Sequence, residues 1–317
     1  MKLIELIAKD RDNYQNILLS QSHAIIIENQ DNVLLETFAK YFVCNLFCKN
    51  EVPCLKCGDC LKVINNNSLD FFMFSKPLMV DDAKEIMDNL YVVPAENDYK
   101  VFVISNFEKI SERVQNKLLK SIEEPPRFVK FLLLTTNISA ILPTVRSRCE
   151  KFELSNFTKQ ELMQFIDFDD ENLKRVAIEN SFCNYGNVVN YLKNKDFENI
   201  VNLVFDMLQN MKMSSDALKY YSLIIKYKEN ILLFVKILQN VVFDILKYHK
   251  GTNGLIDNQS HLKDIENLSQ LYSNLACVKI IEYLDNINEN LQFNANLNLQ
   301  IDTMLLYILE VKYKCKK

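Results

Sequence analysis

Proline runs out early in this chain. The last of six is Pro143, and none follows up to residue 317. Proline removes a backbone donor and clashes with the preceding turn, so a long stretch without it is open to long helices. Ahead of Pro143 the pattern is different. The runs 22–27 (SHAIII), 71–74, 101–104 and 130–135 are short and apolar, as buried strands are. Between them lie helical stretches. Leu35, Phe38, Ala39, Phe42, Val43 and Leu46 share one face at three- and four-residue spacing. Residues 81–90 begin with acids that favour a helix N-terminus, and 111–122 is stopped by Glu123-Glu124-Pro125-Pro126. Alternating strand and helix predicts an α/β core, a parallel sheet with helices on both faces, over residues 1–155. Beyond it the helices expected are 157–166, 171–178, 187–192 after a break at Tyr185-Gly186, 217–225, 231–248, 261–284 and 299–314. Residues 251–260 form the clearest loop.

Composition narrows the function classes. A hydrophobic share of 49% and a charged share of 25% are globular values. No apolar run reaches membrane-spanning length, and the opening residues become charged too soon for a signal peptide. A net charge of −4 disfavours tight nonspecific binding of nucleic acid by the chain alone. Four glycines, none before Gly58, leave the first strand-helix junction without the residue that phosphate-cradling loops need. Laid after the strand, the motif G-x-x-x-x-G-K-[ST] falls on residues 29–36. Asn29 and Leu34 replace its glycines, Leu35 its lysine and Glu36 its hydroxyl. After the third strand, Ser105-Asn106 stand where acids would hold Mg²⁺. Glu108 and Lys109, just beyond, are expected to form an exposed pair.

Five of the nine cysteines lie between residues 44 and 60. Cys48, Cys54, Cys57 and Cys60 read C-x5-C-x2-C-x2-C, and two-residue spacers turn successive thiolates toward one ion, so a closed structural zinc site is expected over about 44–61. Cys44, one helical turn before Cys48, competes as fourth ligand; Cys48 is favoured because it sits at the helix end.

Two further segments carry a resemblance. Residues 116–126, NKLLKSIEEPP, and 142–149, LPTVRSRC, resemble the N-x-L-L-K-x-[LI]-E-E-P-P and L-P-T-[IV]-x-S-R-C segments of bacterial AAA+ clamp-loader proteins. Asp70-Phe71-Phe72 and Val80-Asp81-Asp82 match that family loosely, and its zinc knuckle also follows the first helix. The resemblance covers roughly residues 20–155. It implies an AAA+ core, then a helical lid (156–207) and a helical collar (208–317) that joins subunits. A zinc knuckle and S-R-C without a P-loop is similar to the family's delta prime type. That type implies a stator without ATP turnover, with Arg148 as an arginine finger in trans; Arg146 is expected to be an ordinary surface residue. The implied partners are the tau/gamma ATPase subunits and the delta subunit, with the sliding clamp and primer-template DNA reached through the complex. The implied location is the cytoplasm, with the replisome at the nucleoid.

Two other readings compete. One is a clamp-loader ATPase with a degenerate nucleotide site. The other is a zinc-dependent DNA-binding or redox protein, weakened because Glu51 and Asp59 offset Lys49, Lys56 and Lys62 around the cysteines.

Overall fold

The computed structural model describes residues 3–9, 11–292 and 296–315; the outer ends of the expected core and collar lie outside them. The described residues form two compact units. The first runs to Asp167 and includes Cys183–Gly186; the second comprises Phe168–Phe182 and the residues from Asn187 onward.

In the first unit, α1 (Leu3–Lys9) precedes β1 (Ala24–Glu28) and α2 (Asn32–Phe47). Then come α3 (Gly58–Ile64), β2 (Phe71–Phe74), α4 (Val80–Leu90), β3 (Lys100–Ile104) and α5 (Glu112–Glu123). The unit's sheet is completed by β4 (Val129–Thr135), the short helix α6 (Pro143–Arg146) and β5 (Glu150–Glu153). The five strands are parallel, in the order β2-β3-β4-β1-β5. Side chains alternate across a strand, and here both faces are covered. Ala24, Ile26, Phe102, Ile104, Phe131 and Leu133 pack with α4, α5 and α6 residues such as Ile86, Leu118 and Val145. The alternate residues Ile25, Ile27, Val103 and Leu134 are buried too, on the side where α2 packs on β4. Burial on both faces explains why β1, β3 and β4 read as unbroken apolar runs.

The strand β5 lacks that signal. Its sequence EKFE is mostly exposed and pairs only with β1, so an edge position hides it from periodicity.

The second unit is helical. Helices occupy Glu171–Glu179, Phe197–Asn210, Ser214–Ile224, Ile231–His249, Leu262–Leu271, Asn274–Gln292 and Leu297–Lys314. Three expectations need correction here. Residues 261–284 are not one helix, because Tyr272 leaves helical geometry at φ −117° and ψ 119°. Its buried hydroxyl donates to the Leu208 carbonyl at 2.9 Å, and Ser273 Oγ accepts from the Ala276 N–H of the next helix. The helix Phe197–Asn210, which crosses the expected joint at 207/208, was absent from the expected set. The loop at 251–260 is fixed by the fully buried Asp244, whose carboxylate accepts from the backbone N–H groups of Asp257 and Asn258 at 2.9 and 2.8 Å.

Tyr185-Gly186 is also no break. The helix Tyr185–Lys193 contains both residues, and a glycine in a first turn has a backbone N–H free of the helical ladder. No described helix is long and apolar enough to cross a membrane.

Candidate functional site

The carboxyl ends of the strands carry the loops at issue, the usual position for sites on a parallel sheet. They are stitched together by polar contacts. The Asn29 N–H donates to the Thr135 carbonyl at 3.1 Å, Gln30 Nε2 to the Thr136 carbonyl at 2.7 Å, and the Ile138 N–H to Glu28 Oε1 at 2.8 Å.

At the first junction only residues 29–31 separate β1 from α2. The helix therefore starts before the glycine-lysine pair of the laid-out motif. Leu34 and Leu35 are core side chains at 1% and 0% exposure. The anion position at the helix N-terminus belongs to the chain itself. Buried Asp31 caps α2, with Oδ1 accepting from the Val33 and Leu34 N–H groups at 2.9 and 3.1 Å. Its Oδ2 accepts from the Gly186 N–H at 2.9 Å. A Cβ on Gly186 would stand 2.9 Å from both Asp31 Oδ1 and Val33 Cγ2, so the close approach requires glycine. Asn29, equally buried, accepts from the Asp31 N–H and donates to the Leu154 carbonyl. Backbone donors that would cradle a phosphate thus already hold a carboxylate. The Asp31 role was not anticipated. An aspartate just before an amphipathic helix signals an N-cap, but nothing local points to Gly186.

At the end of β3, Ser105 is buried and Asn106 takes left-handed backbone at φ 52°, its side-chain amide bonded to the Ser75 carbonyl and to Lys109. Glu108 and Lys109 are not an exposed pair. Glu108 is half-buried and accepts from Thr135 Oγ1 and Thr136 Oγ1 at 2.9 and 3.0 Å, because it turns back onto the end of β4.

The four expected metal ligands converge. The sulfurs of Cys48, Cys54, Cys57 and Cys60 lie within 4.8 Å of one another, Cys48 and Cys57 at 4.0 Å. Four thiolates at 2.3 Å from a tetrahedral zinc would stand about 3.8 Å apart, so the set fits with small movements. Cys48 ends α2 in extended backbone, and Leu55 takes φ 56°, turning the chain between Cys54 and Cys57. Backbone N–H groups point at sulfur. Cys57 N–H donates to Cys54 Sγ at 3.2 Å, and Cys60 N–H to Cys57 Sγ at 3.5 Å, which also caps α3. Amide donation from Lys56 and then Cys57 lowers the Cys54 thiol to about 6, whereas burial raises Cys60. Cys44 is outside the group. It is fully buried, turns its Sγ to the Cys60 carbonyl at 3.8 Å, and is pushed by burial to about 12.

The arginine segment is braced by α5. Val114, Leu118 and Ile122 bury one helix face against Ile141 and Val145. Buried Gln115 accepts from the Leu142 N–H at 3.1 Å and donates to the Ile110 carbonyl at 2.9 Å. Proline at the first helical position starts α6. Arg148 follows, with Nη1 donating to the Thr144 carbonyl at 2.9 Å and Nη2 to Glu123 Oε1 at 3.3 Å. Its Nε lies 2.9 Å from Glu123 Oε2, an ion pair with the N–H turned off that line. Arg146 is half-buried. The sequence singled out no role for Gln115 and read Glu123 only as part of the helix stop and of the resembling segment, since their partners lie 27 and 25 residues away.

Residues 13–158 match the family described as "DNA polymerase III, delta subunit", and residues 194–309 the one described as "DNA polymerase III, delta subunit, C terminal". The chain belongs to the clamp-loader family of DNA polymerase III. It is 26% identical to the DNA polymerase III subunit gamma of Buchnera aphidicola subsp. Schizaphis graminum, across 92% of this chain and 89% of that protein. It is 24% identical to the subunit delta' of Buchnera aphidicola subsp. Baizongia pistaciae, across 88% and 91%. Further gamma and tau relatives are matched over less than half of their own length. A gamma subunit-related protein of Thermotoga maritima superposes with a TM-score of 0.49 at 15% identity, covering 98% of this clamp-loader chain and all of that one.

Proposed function

We propose that this chain is a delta prime-type stator of the clamp loader, a subunit that does not hydrolyse ATP and acts on the ATP of a neighbour. The observation that carries the proposal is Asp31. Its carboxylate takes the helix N-terminus where a phosphate would sit, and three backbone donors already serve it. The missing acids at Ser105-Asn106 and the buried Leu34 and Leu35 support the same reading.

In this reading residues 1–155 are the AAA+ core, 156–207 the lid and 208–317 the collar that joins the tau/gamma ATPase subunits and the delta subunit. Arg148 reaches the ATP of an adjacent subunit. Its planar, permanent charge stabilises negative charge on the transferring phosphoryl group. The assembly opens the sliding clamp and places it on primer-template DNA in the cytoplasm. Cys48, Cys54, Cys57 and Cys60 would hold one zinc, which four thiolates close to substrate, so its contribution is folding energy.

Relatives named gamma favour a second reading, an ATPase with a degenerate site. Nucleotide titration of the pure chain separates the two. The stator reading expects no saturable ATP binding at micromolar concentration and no turnover, and Leu35→Lys restores neither, because its ammonium would enter the core. Micromolar binding with turnover that survives stringent purification contradicts it.

A further inference from the structure

We infer that Glu123 is the positioning residue of Arg148, a role that rests on the finger reading above. Glu123 is the last residue of α5, where the helix dipole disfavours an acid. Its carboxylate faces the side of the guanidinium, with Oε2 2.9 Å from Nε and Oε1 accepting from Nη2 at 3.3 Å. The Thr144 carbonyl, on the other flank, accepts from Nη1 at 2.9 Å. A guanidinium has five N–H groups. With Nε beside the carboxylate and one N–H of each terminal nitrogen engaged, Nη1 and Nη2 each keep one N–H for an incoming anion. Two contacts from different elements, α5 and α6, fix the plane of the head group while leaving that capacity.

A long arginine side chain otherwise loses rotamer freedom when it meets a phosphate. Holding it beforehand moves that loss into folding, and misplacement by about 1 Å can lower a rate by roughly 10²-fold. The carboxylate also draws the guanidinium away from other anions. A latch of this kind would slow hydrolysis, so the sign of the effect decides between positioning and latching.

The test uses the full chain assembled with its ATPase and delta partners, reading ATP hydrolysis stimulated by clamp and primed DNA. Glu123→Gln keeps the shape and loses the charge. It should lower kcat by about 3- to 10-fold with the KM for ATP unchanged, a fraction of the roughly 10³–10⁵ an arginine finger contributes where it has been dissected. In an Arg148→Ala background the same substitution should change nothing, because Glu123 acts only through that guanidinium. If Arg148→Ala slows hydrolysis while Glu123→Gln runs at the wild-type rate or faster, the positioning role is wrong and the finger stands. Slowing by Glu123→Gln in the Arg148→Ala background also overturns it, since the residue then acts on the fold. If Arg148→Ala itself has no effect, the finger reading fails and takes this inference with it.

Discussion

Replacing Asp31 with alanine removes one buried carboxylate that three backbone N–H groups share. Two of them, Val33 and Leu34, open α2, and loss of an aspartate cap costs about 1–2 kcal/mol. The third, Gly186, lies 155 residues away and would keep a buried donor without a partner, at about 1–3 kcal/mol. The two parts share one side chain and do not add fully, so roughly 2–4 kcal/mol is expected. Amide hydrogen exchange resolves the parts. At about 1.4 kcal/mol per decade, protection should fall by about 5- to 30-fold in the first turn of α2 and by about 5- to 150-fold at Gly186. Asp31→Asn is the informative companion. Its amide has one oxygen and one nitrogen, so it serves either the helix or Gly186 and leaves the other unprotected. If Asp31→Ala leaves all three amides within twofold of wild type, the carboxylate is not what fills the helix N-terminus. The case against a nucleotide seat would then lose its main support.

Cys57→Ser should abolish stoichiometric zinc in protein purified without chelator and loosen α3, while Cys44→Ser should keep the metal; zinc loss from the second variant would move the fourth ligand to Cys44. Asp70 supplies a pH dependence. Burial opposes its ionisation, but the N–H groups of Ala95, Glu96 and Asn97 at 2.7, 2.8 and 2.9 Å outweigh this and hold its pKa below the usual value. A depressed folded pKa stabilises above the unfolded value of about 3.9 and is lost as pH falls through the folded one. Asp70→Asn should thus cost about 2–3 kcal/mol at pH 7 and progressively less below pH 4 in urea titrations, whereas a pH-independent difference would contradict the sign.

Legibility in the sequence followed how local each signal is. The strands β1, β3 and β4 announce themselves because burial on both faces leaves them no polar position, whereas β5 is an edge whose Glu150, Lys151 and Glu153 carry no apolar run. The helix Phe197–Asn210 is an exception, since Phe197, Ile200, Val201, Val204, Phe205 and Leu208 carry a local signal at three- and four-residue spacing that the expected set passed over. The break at Tyr272 is not, because what ends the helix is a distant carbonyl at Leu208. The cysteine group was legible since its spacing alone sets its geometry. Glu108, by contrast, bonds to residues 27 and 28 positions onward, and Asp31 to Gly186, so only the fold reveals what these acids do.

In the stator reading, the action of Arg148 on ATP held by another subunit is the decisive step. It is tested most directly by the steady-state ATPase rate of the reconstituted clamp loader carrying Arg148→Ala, with Arg146→Ala as the control and assembly verified by gel filtration. An assembled complex is expected whose clamp- and DNA-stimulated rate falls by at least about tenfold, less than the roughly 10³–10⁵ of dissected arginine fingers because other sites in the ring still fire, while Arg146→Ala stays within about twofold. An Arg148→Ala complex that assembles and hydrolyses ATP at the wild-type rate would contradict it, leaving this chain a structural member of the ring alone.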